Sequence, residues 1–221
     1  AAVMERADNG DDQAARALRI VTPLIKGRMS RDNVKVATAA LEARGGNGYI
    51  EEWVNARLVR DAHLGVVWEG TSSIVALDVT KRAIRKSRAH EALGAELHRT
   101  VEESDGIPGQ YRGELAAMID QAVRFAGAVS ETDAREQFSR QASNALYHVT
   151  SAVLLAREGA MMGETTGDAR RLLLSRLVMD HRLRPHDPMS LEDAEADSLA
   201  AELLLDDSPP DLERARGALT A

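Results

Sequence analysis

Apolar residues in this chain recur at i, i+3, i+4 and i+7, and nowhere do they alternate at period two. That regularity confines the fold to helices packed on helices, because a half-buried strand needs alternating apolar and polar positions. Leu115, Met118, Ile119, Ala122 and Phe125 keep the helical pattern after the break at Gly106-Ile107-Pro108-Gly109. Leu146, Val149 and Val153 keep it after Ser130-Glu131-Thr132-Asp133, which reads as a cap. Leu173, Leu174, Leu177 and Val178 follow the turn at Gly163–Gly167. Ser190 and Ser208 read as N-caps of two last helices, the second with Pro209 at its favoured first position. Composition agrees: 44% hydrophobic and 29% charged residues, with only 3% aromatic, suit closely packed helices. The expected fold class is all-α, a helical bundle followed by an additional C-terminal helical region. The 221 residues allow one large domain or two small ones.

The first half carries sharper turn signals. A helical stretch from about Asp12 to Ala43 places Val36, Ala39, Ala40 and Ala43 on one face. Pro23 lies inside it, so either the helix kinks there or a new one starts with Thr22 as cap. Gly45-Gly46-Asn47-Gly48 ends it. A short helix over Glu51–Asp61 is expected next, then an apolar loop from Leu64 to Trp68. Glu69-Gly70-Thr71 then opens a helix that points Ile74 and Leu77 inward. The basic run Lys81, Arg82, Arg85, Lys86 and Arg88 closes this part and places a boundary near residues 88–92, dividing the chain into residues 1–90 and 91–221.

Charge and residue types exclude several functions. Residues 1–92 carry +3 and residues 93–221 carry −10, for −7 overall. So acidic a second part is a poor match for nucleic-acid phosphates, although the basic run could touch DNA or the phosphates of coenzyme A. The same run also reads as a solvated helix face suited to the C-terminal dipole. There is no cysteine, which removes disulfides, thiolate metal sites and cysteine nucleophiles. His63, His98, His148, His181 and His186 show no metal-ligand spacing, so no metal is expected. Met161-Met162 reads as core filler. No apolar run reaches the roughly 20 residues of a membrane span. Ala1 to Gln13 is polar and acidic, neither a secretory signal nor a basic presequence, and a cytoplasmic location is expected. The chain starts without Met inside a helical pattern and reads as a fragment or processed piece.

Two places invite chemistry. Gly45-Gly46-Asn47-Gly48-Tyr49 leaves a helix through three glycines, as a backbone does where it turns with positive φ or approaches a ligand. It is equally a helix C-cap followed by a turn, and with no strand before it the dinucleotide fingerprint is absent. Glu69 follows Val66-Val67-Trp68, where desolvation would raise a carboxylate toward the range of a proton acceptor. It is equally a first-turn acid facing the helix dipole.

Arg44-Gly45-Gly46-Asn47-Gly48-Tyr49 and Trp68-Glu69-Gly70-Thr71-Ser72-Ser73-Ile74, with Arg60-Asp61-Ala62 between them, resemble motifs of the acyl-CoA dehydrogenases in their family order. The resemblance covers about Arg19 to Lys86 and is to the family's C-terminal helical domain. It implies FAD as cofactor and an acyl-CoA thioester as substrate. It implies that Glu69 takes the α-proton while FAD accepts hydride from the β-carbon. Trp68, Glu69 and Gly70 would contact substrate, the Glu69 N–H helping to hold the thioester carbonyl. Thr71 and Ser73 would lie beside the flavin. Gly45 and Gly46 would pack on the adenosine-diphosphate end of FAD held by a neighbouring subunit. Glu42 would replace a glutamine that contacts FAD, and a carboxylate suits a pyrophosphate poorly. Trp68 stands where tyrosine is more usual, and the stretch from Trp68 to Val79 is similar to the adaptive-response, alkylation-resistance branch. Implied partners are an electron-transfer flavoprotein or other acceptor and further copies of the chain, as dimer or tetramer. Exposed Ile20, Leu24 and Val36 are expected to serve association. The alternatives are a DNA-alkylation-response flavoprotein with weak or no dehydrogenase activity, and a catalytically silent helical interaction module. Alone, this chain is expected to do little catalysis.

Overall fold

A computed structural model describes residues 2–68, 70–185, 187, 189–191 and 194–220, with the side chains of Ala2 and Thr220 left aside. Every regular element among them is helical. In order these are α1 (Ala2–Asp8), α2 (Asp12–Glu42), α3 (Gly46–Tyr49), α4 (Val54–Trp68), α5 (Ser72–Leu77) and a π-helical segment (Asp78–Ile84). There follow α6 (Ala89–Glu102), α7 (Gly109–Ser130), a 3₁₀ turn (Asp133–Phe138), α8 (Ser139–Thr165) and α9 (Arg170–Val178). A second π segment (Met179–Leu183), α10 (Ala194–Leu205) and α11 (Leu212–Thr220) complete the chain. The residues divide into two compact units, one of residues 1–90 and 126–147, the other of 91–125 and 148–221.

In the first unit α2 is the organising element. The Asp11 carboxylate caps it by accepting from the Ala14 N–H at 3.0 Å. Ion pairs one turn apart, Arg16–Asp12 and Arg28–Asp32, support it. Pro23 neither ends nor restarts the helix, which runs unbroken from Asp12 to Glu42. Thr22 accordingly caps nothing and its hydroxyl donates back to the Leu18 carbonyl. Ala14, Ala17, Ile20 and Leu24 form its buried stripe, and beyond Leu24 no residue of α2 is buried. Ile20 and Leu24 are therefore core residues rather than an association surface, whereas Val36 is exposed. α4 runs back along α2, with Gly65 against Ser30. The α5–π helix packs on the other part of α2: a Cβ at Gly27 would stand 2.7 Å from Val75, so glycine is what admits that approach.

Two local expectations fail in this unit. The helix expected at Glu51–Asp61 begins at Val54 and continues through Leu64–Trp68, which is helix and not loop. Its 15 residues hold Asn55, Ala56 and Ala62 inward and leave Leu64, Val67 and Trp68 outward. In α5 the inward face is Ala76, continued by Val79, Ala83 and Ile84; Ile74 is exposed and Leu77 half-buried. The buried positions Ala76, Val79, Thr80, Ala83 and Ile84 keep the i, i+3, i+4, i+7 spacing, and Ile74 lies off that stripe.

The second unit is built on α7, α8 and α9. Tyr111, Leu115, Ile119 and Ala122 give α7 its buried face. Val149, Ala152, Val153 and Ala156 do so for α8. In α9 the inward residues are Leu172, Leu173 and Ser175, and Leu174 is exposed, one position out of the expected register. The last helix starts at Leu212, with the Asp211 carboxylate accepting from the Arg214 N–H. Ser208 and Pro209 cannot open it, because a residue before proline is driven out of the α region and Pro209 itself precedes Pro210. Ser190 lies four residues before the start of α10, too far to cap it; Glu192 and Asp193 are outside the described residues.

A buried hydroxyl pair joins three helices of this unit. Ser175 Oγ donates to the Ala152 carbonyl at 2.7 Å, so the Tyr111 hydroxyl donates to Ser175, also at 2.7 Å. Burial pushes the Tyr111 phenol well above its ordinary range. Ser175→Ala strands that phenol and is expected to cost about 1–3 kcal/mol, with much of the loss recovered by adding Tyr111→Phe. Denaturant midpoints at constant slope measure both changes.

Candidate functional site

The glycine turn is built from the end of α2. Ala43 terminates the helix by donating to the Ala39 carbonyl, and Gly45 donates to the Glu42 carbonyl at 3.0 Å. Gly45 then takes φ 56° and ψ −140°, a conformation that only glycine adopts readily. Gly48 is held for a different reason: a Cβ there would lie 2.2 Å from the Leu41 carbonyl oxygen. Gly46 has neither reason. It carries no positive φ, and nothing stands within 4 Å of where its Cβ would be. Glu42, Gly45 and Gly46 are exposed together on one turn. Around them Tyr49, at 76% exposure, Ile50, Trp53 and Val54 present large apolar side chains to solvent.

The second motif lies at the junction of α4 and α5. Trp68 ends α4 at 78% exposure, and Val67 beside it is 73% exposed. Glu69 itself falls outside the described residues. Gly70 takes φ 99°, and this turn is why the motif needs glycine after its acid. Thr71 is the N-cap of α5, yet its side chain makes no cap hydrogen bond. Thr71 and Ser73 leave their hydroxyls exposed. Of the apolar residues expected to desolvate Glu69, all are helical; Val66 is half-buried, and Val67 and Trp68 are open to solvent.

The two motifs do not meet within one chain. Val75 touches α2 at Gly27, whereas Gly48 touches it at Leu41. Fourteen residues of helix separate those contacts by about 21 Å at 1.5 Å per residue. Between them Arg60 holds Glu51 through two hydrogen bonds of 2.7 and 3.1 Å, and Ala62 is buried. The Arg60 guanidinium keeps the Glu51 carboxyl below its usual range.

Residues 1–84 match the family model described as "Acyl-CoA dehydrogenase, C-terminal domain". Over these residues the chain is similar to the C-terminal domain of acyl-CoA dehydrogenases. It is 24% identical over 188 residues to acyl-CoA dehydrogenase family member 11 of Caenorhabditis elegans, covering 80% of this chain and 26% of that protein. It is 30% identical over 93 residues to 3-methylmercaptopropionyl-CoA dehydrogenase of Ruegeria pomeroyi, covering 40% of this chain and 16% of that protein. It is also 30% identical over 83 residues to the putative acyl-CoA dehydrogenase AidB of Escherichia coli, covering 38% and 15%. The chain thus spans about a quarter or less of these relatives. No solved structure matches it.

The dehydrogenase-type segment ends in the basic run, and much of that charge is already engaged. Arg82 and Arg19 pair with Asp78. Lys81 pairs with Glu136, and Arg85 with Asp133. These neighbours raise the Lys81 ammonium and lower the Asp133 carboxyl from their ordinary values. A face so neutralised offers a polyanion little. Among the described residues no group of three or more His, Asp or Glu is placed to hold a metal, and no helix is long and apolar enough to cross a membrane. Two features escaped sequence reasoning: Gly27, whose only trace is a lone glycine within a helical pattern, and Asn55. Asn55 is 7% exposed and its Oδ1 accepts no hydrogen bond, a cost normally met only where something else repays it.

Proposed function

We propose that this chain is the C-terminal part of an FAD-dependent acyl-CoA dehydrogenase that desaturates an acyl-CoA thioester between its α and β carbons. Residues 1–90 form the dehydrogenase-type part and residues 91–221 an additional helical region, of which residues 126–147 belong to the same compact unit as the first part. The carrying observation is the family match over residues 1–84, which contains both motifs. Glu69 takes the α-proton, with Trp68 and Gly70 against the substrate. Thr71 and Ser73 stand beside the flavin, and Gly45 and Gly46 against its adenosine-diphosphate end. When bound, FAD supplies the hydride acceptor, and an electron-transfer flavoprotein or other acceptor takes the electrons onward in the cytoplasm.

The residues present fit that cofactor at most positions. Exposed hydroxyls at Thr71 and Ser73 can donate to a flavin, and Gly46 leaves space that nothing in its own chain fills. Glu42 fits least, since its exposed carboxylate repels a pyrophosphate. The separation of the motifs along α2 favours an assembly in which a dimer or tetramer completes each site from two copies.

Gly46→Ala tests this reading. Within the chain the added methyl meets nothing, so the melting temperature should hold. Against a tightly apposed cofactor, overpacking costs about 1–3 kcal/mol, so FAD affinity in the full-length protein should fall about tenfold or more. Flavin fluorescence titration together with sedimentation reads both. A monomer that binds FAD equally well with or without the methyl would defeat the proposal.

A further inference from the structure

The helix behind Gly70 is held from two sides. On one side α2 grips it through Arg19, whose guanidinium reaches both Asp78 oxygens at 3.2 and 3.3 Å, and through the Gly27–Val75 contact. On the other side stand residues 126–147, which lie beyond the stretch matched by the family model yet belong to the same compact unit. Here α7 ends, the 3₁₀ turn follows and α8 begins. Ser139 and Thr80 join hydroxyls at 3.1 Å, both almost fully buried, while Thr80 also bonds the Ala76 carbonyl at 3.0 Å. Arg85 donates to the Ser130 carbonyl at 2.5 Å and to Asp133 at 2.9 Å. Lys81 donates to Glu136 at 2.5 Å.

These contacts fall at a telling place. The Arg85 N–H donates to the Thr80 carbonyl at 3.1 Å, an i→i+5 bond of the π segment. Both residues that close this bond are among the three, Thr80, Lys81 and Arg85, that the hairpin holds by their side chains. A π turn carries one more residue than an α turn and persists where surrounding contacts favour it. Relaxing it to α register would rotate everything before it by one residue, about 100° around the axis. The rotated part would be α5 and, at its start, Gly70 and Thr71.

We propose that residues 126–147 are the positioning element of the catalytic helix, with Ser139, Asp133 and Glu136 holding the π register that aims its start at Gly70 and Thr71. The additional region thereby acts on the reaction without touching substrate. This rests on the dehydrogenase reading above and assigns positioning residues, not catalytic ones.

Hydrogen exchange on the 221-residue chain tests the structural half. In Ser139→Ala/Asp133→Asn/Glu136→Gln, amides of residues 72–84 should exchange at least about tenfold faster, and those of residues 109–125 unchanged, since a released register opens locally. Should the triple variant unfold, Ser139→Ala alone serves, with a smaller change of the same sign. Unchanged exchange at residues 72–84 overturns the proposal. In the full-length FAD-loaded protein the same variants should lower kcat about tenfold with KM for acyl-CoA within about threefold, as a misaimed base does. The swap Lys81→Glu with Glu136→Lys should restore kcat relative to either single change. If Glu69→Gln slows the reaction and the hairpin variants do not, positioning is wrong and the dehydrogenase reading stands. If Glu69→Gln is itself without effect, that assignment of the base fails, and the exchange result still decides whether the hairpin holds the helix.

Discussion

Glu69→Gln in the full-length protein is expected to slow flavin reduction by acyl-CoA at least about 10²-fold, the usual cost of losing a general base. The substitution keeps size and hydrogen-bonding shape and removes only the proton acceptor. FAD and substrate should therefore still bind, and the loss should fall on the chemical step rather than on KM. The residue lies in sequence between Trp68, the exposed end of α4, and Gly70, whose φ of 99° makes the turn into α5. A carboxylate reaches its working pKa there only when the exposed Val67 and Trp68 are covered by another part of the protein. Stopped-flow bleaching of the flavin absorbance decides it. A rate within a few-fold of the unaltered protein would put the base on another residue.

The largest stability effect is expected at a glycine of the second unit. A Cβ at Gly159 would stand 2.1 Å from the Leu172 nitrogen and 2.8 Å from the Arg171 carbonyl carbon. Both are backbone atoms at the start of α9, so no rotamer can yield. The helices must separate, giving up contacts of the buried Leu172 and Leu173. Overpacking of this kind costs about 3 kcal/mol. In a chain of this size that lowers the melting temperature by about 6–12 °C. Gly113→Ala is the matched control: it is exposed on α7, nothing lies within 4 Å, and alanine is the better helix former by about 0.5–1 kcal/mol. Calorimetry should move the two variants in opposite directions. A neutral Gly159→Ala would mean that α8 and α9 do not approach through this glycine.

The helical pattern disclosed the fold class because burial in a bundle writes itself into 3.6-residue spacing. It disclosed less about which of several apolar residues lie on the buried stripe. Leu174 and Ile74 were expected inside, and both lie outside. The stripes themselves keep helical spacing, through Ala76, Val79, Thr80 and Ala83 in one case and Leu172, Ser175 and Met179 in the other. Ala76, Thr80 and Ser175 are small or polar, which an apolar template does not favour. Leu64–Trp68 read as loop because its apolar residues have no polar partners. Leu64, Val67 and Trp68 share one exposed face of α4, and an exposed apolar face looks the same in sequence as a buried segment. Pro23 was weighed as a kink or a start, yet the helix absorbs it, because one lost bond is small beside the packing along α2. The site was legible as two motifs. That they stand about 21 Å apart along α2 was not, since sequence order says nothing of which end of a helical hairpin a turn occupies.

The first unit takes its residues from two stretches, 1–90 and 126–147, with residues 91–125 spent in the other. On the ribosome, then, the dehydrogenase-type bundle cannot close when its last family-matched residue emerges. Ala142 and Leu146, both fully buried, are still to be made, and so is Ser139, which bonds Thr80. Roughly 57 further residues must follow residue 90, and at 5–20 residues per second they take about 3–11 s. For that interval Val79, Ala83 and Ile84 lack part of the hairpin that completes their unit. A nascent chain in that state is open to chaperones and to its neighbours on the same message. Slowing translation between residues 90 and 147 should therefore raise the aggregated fraction.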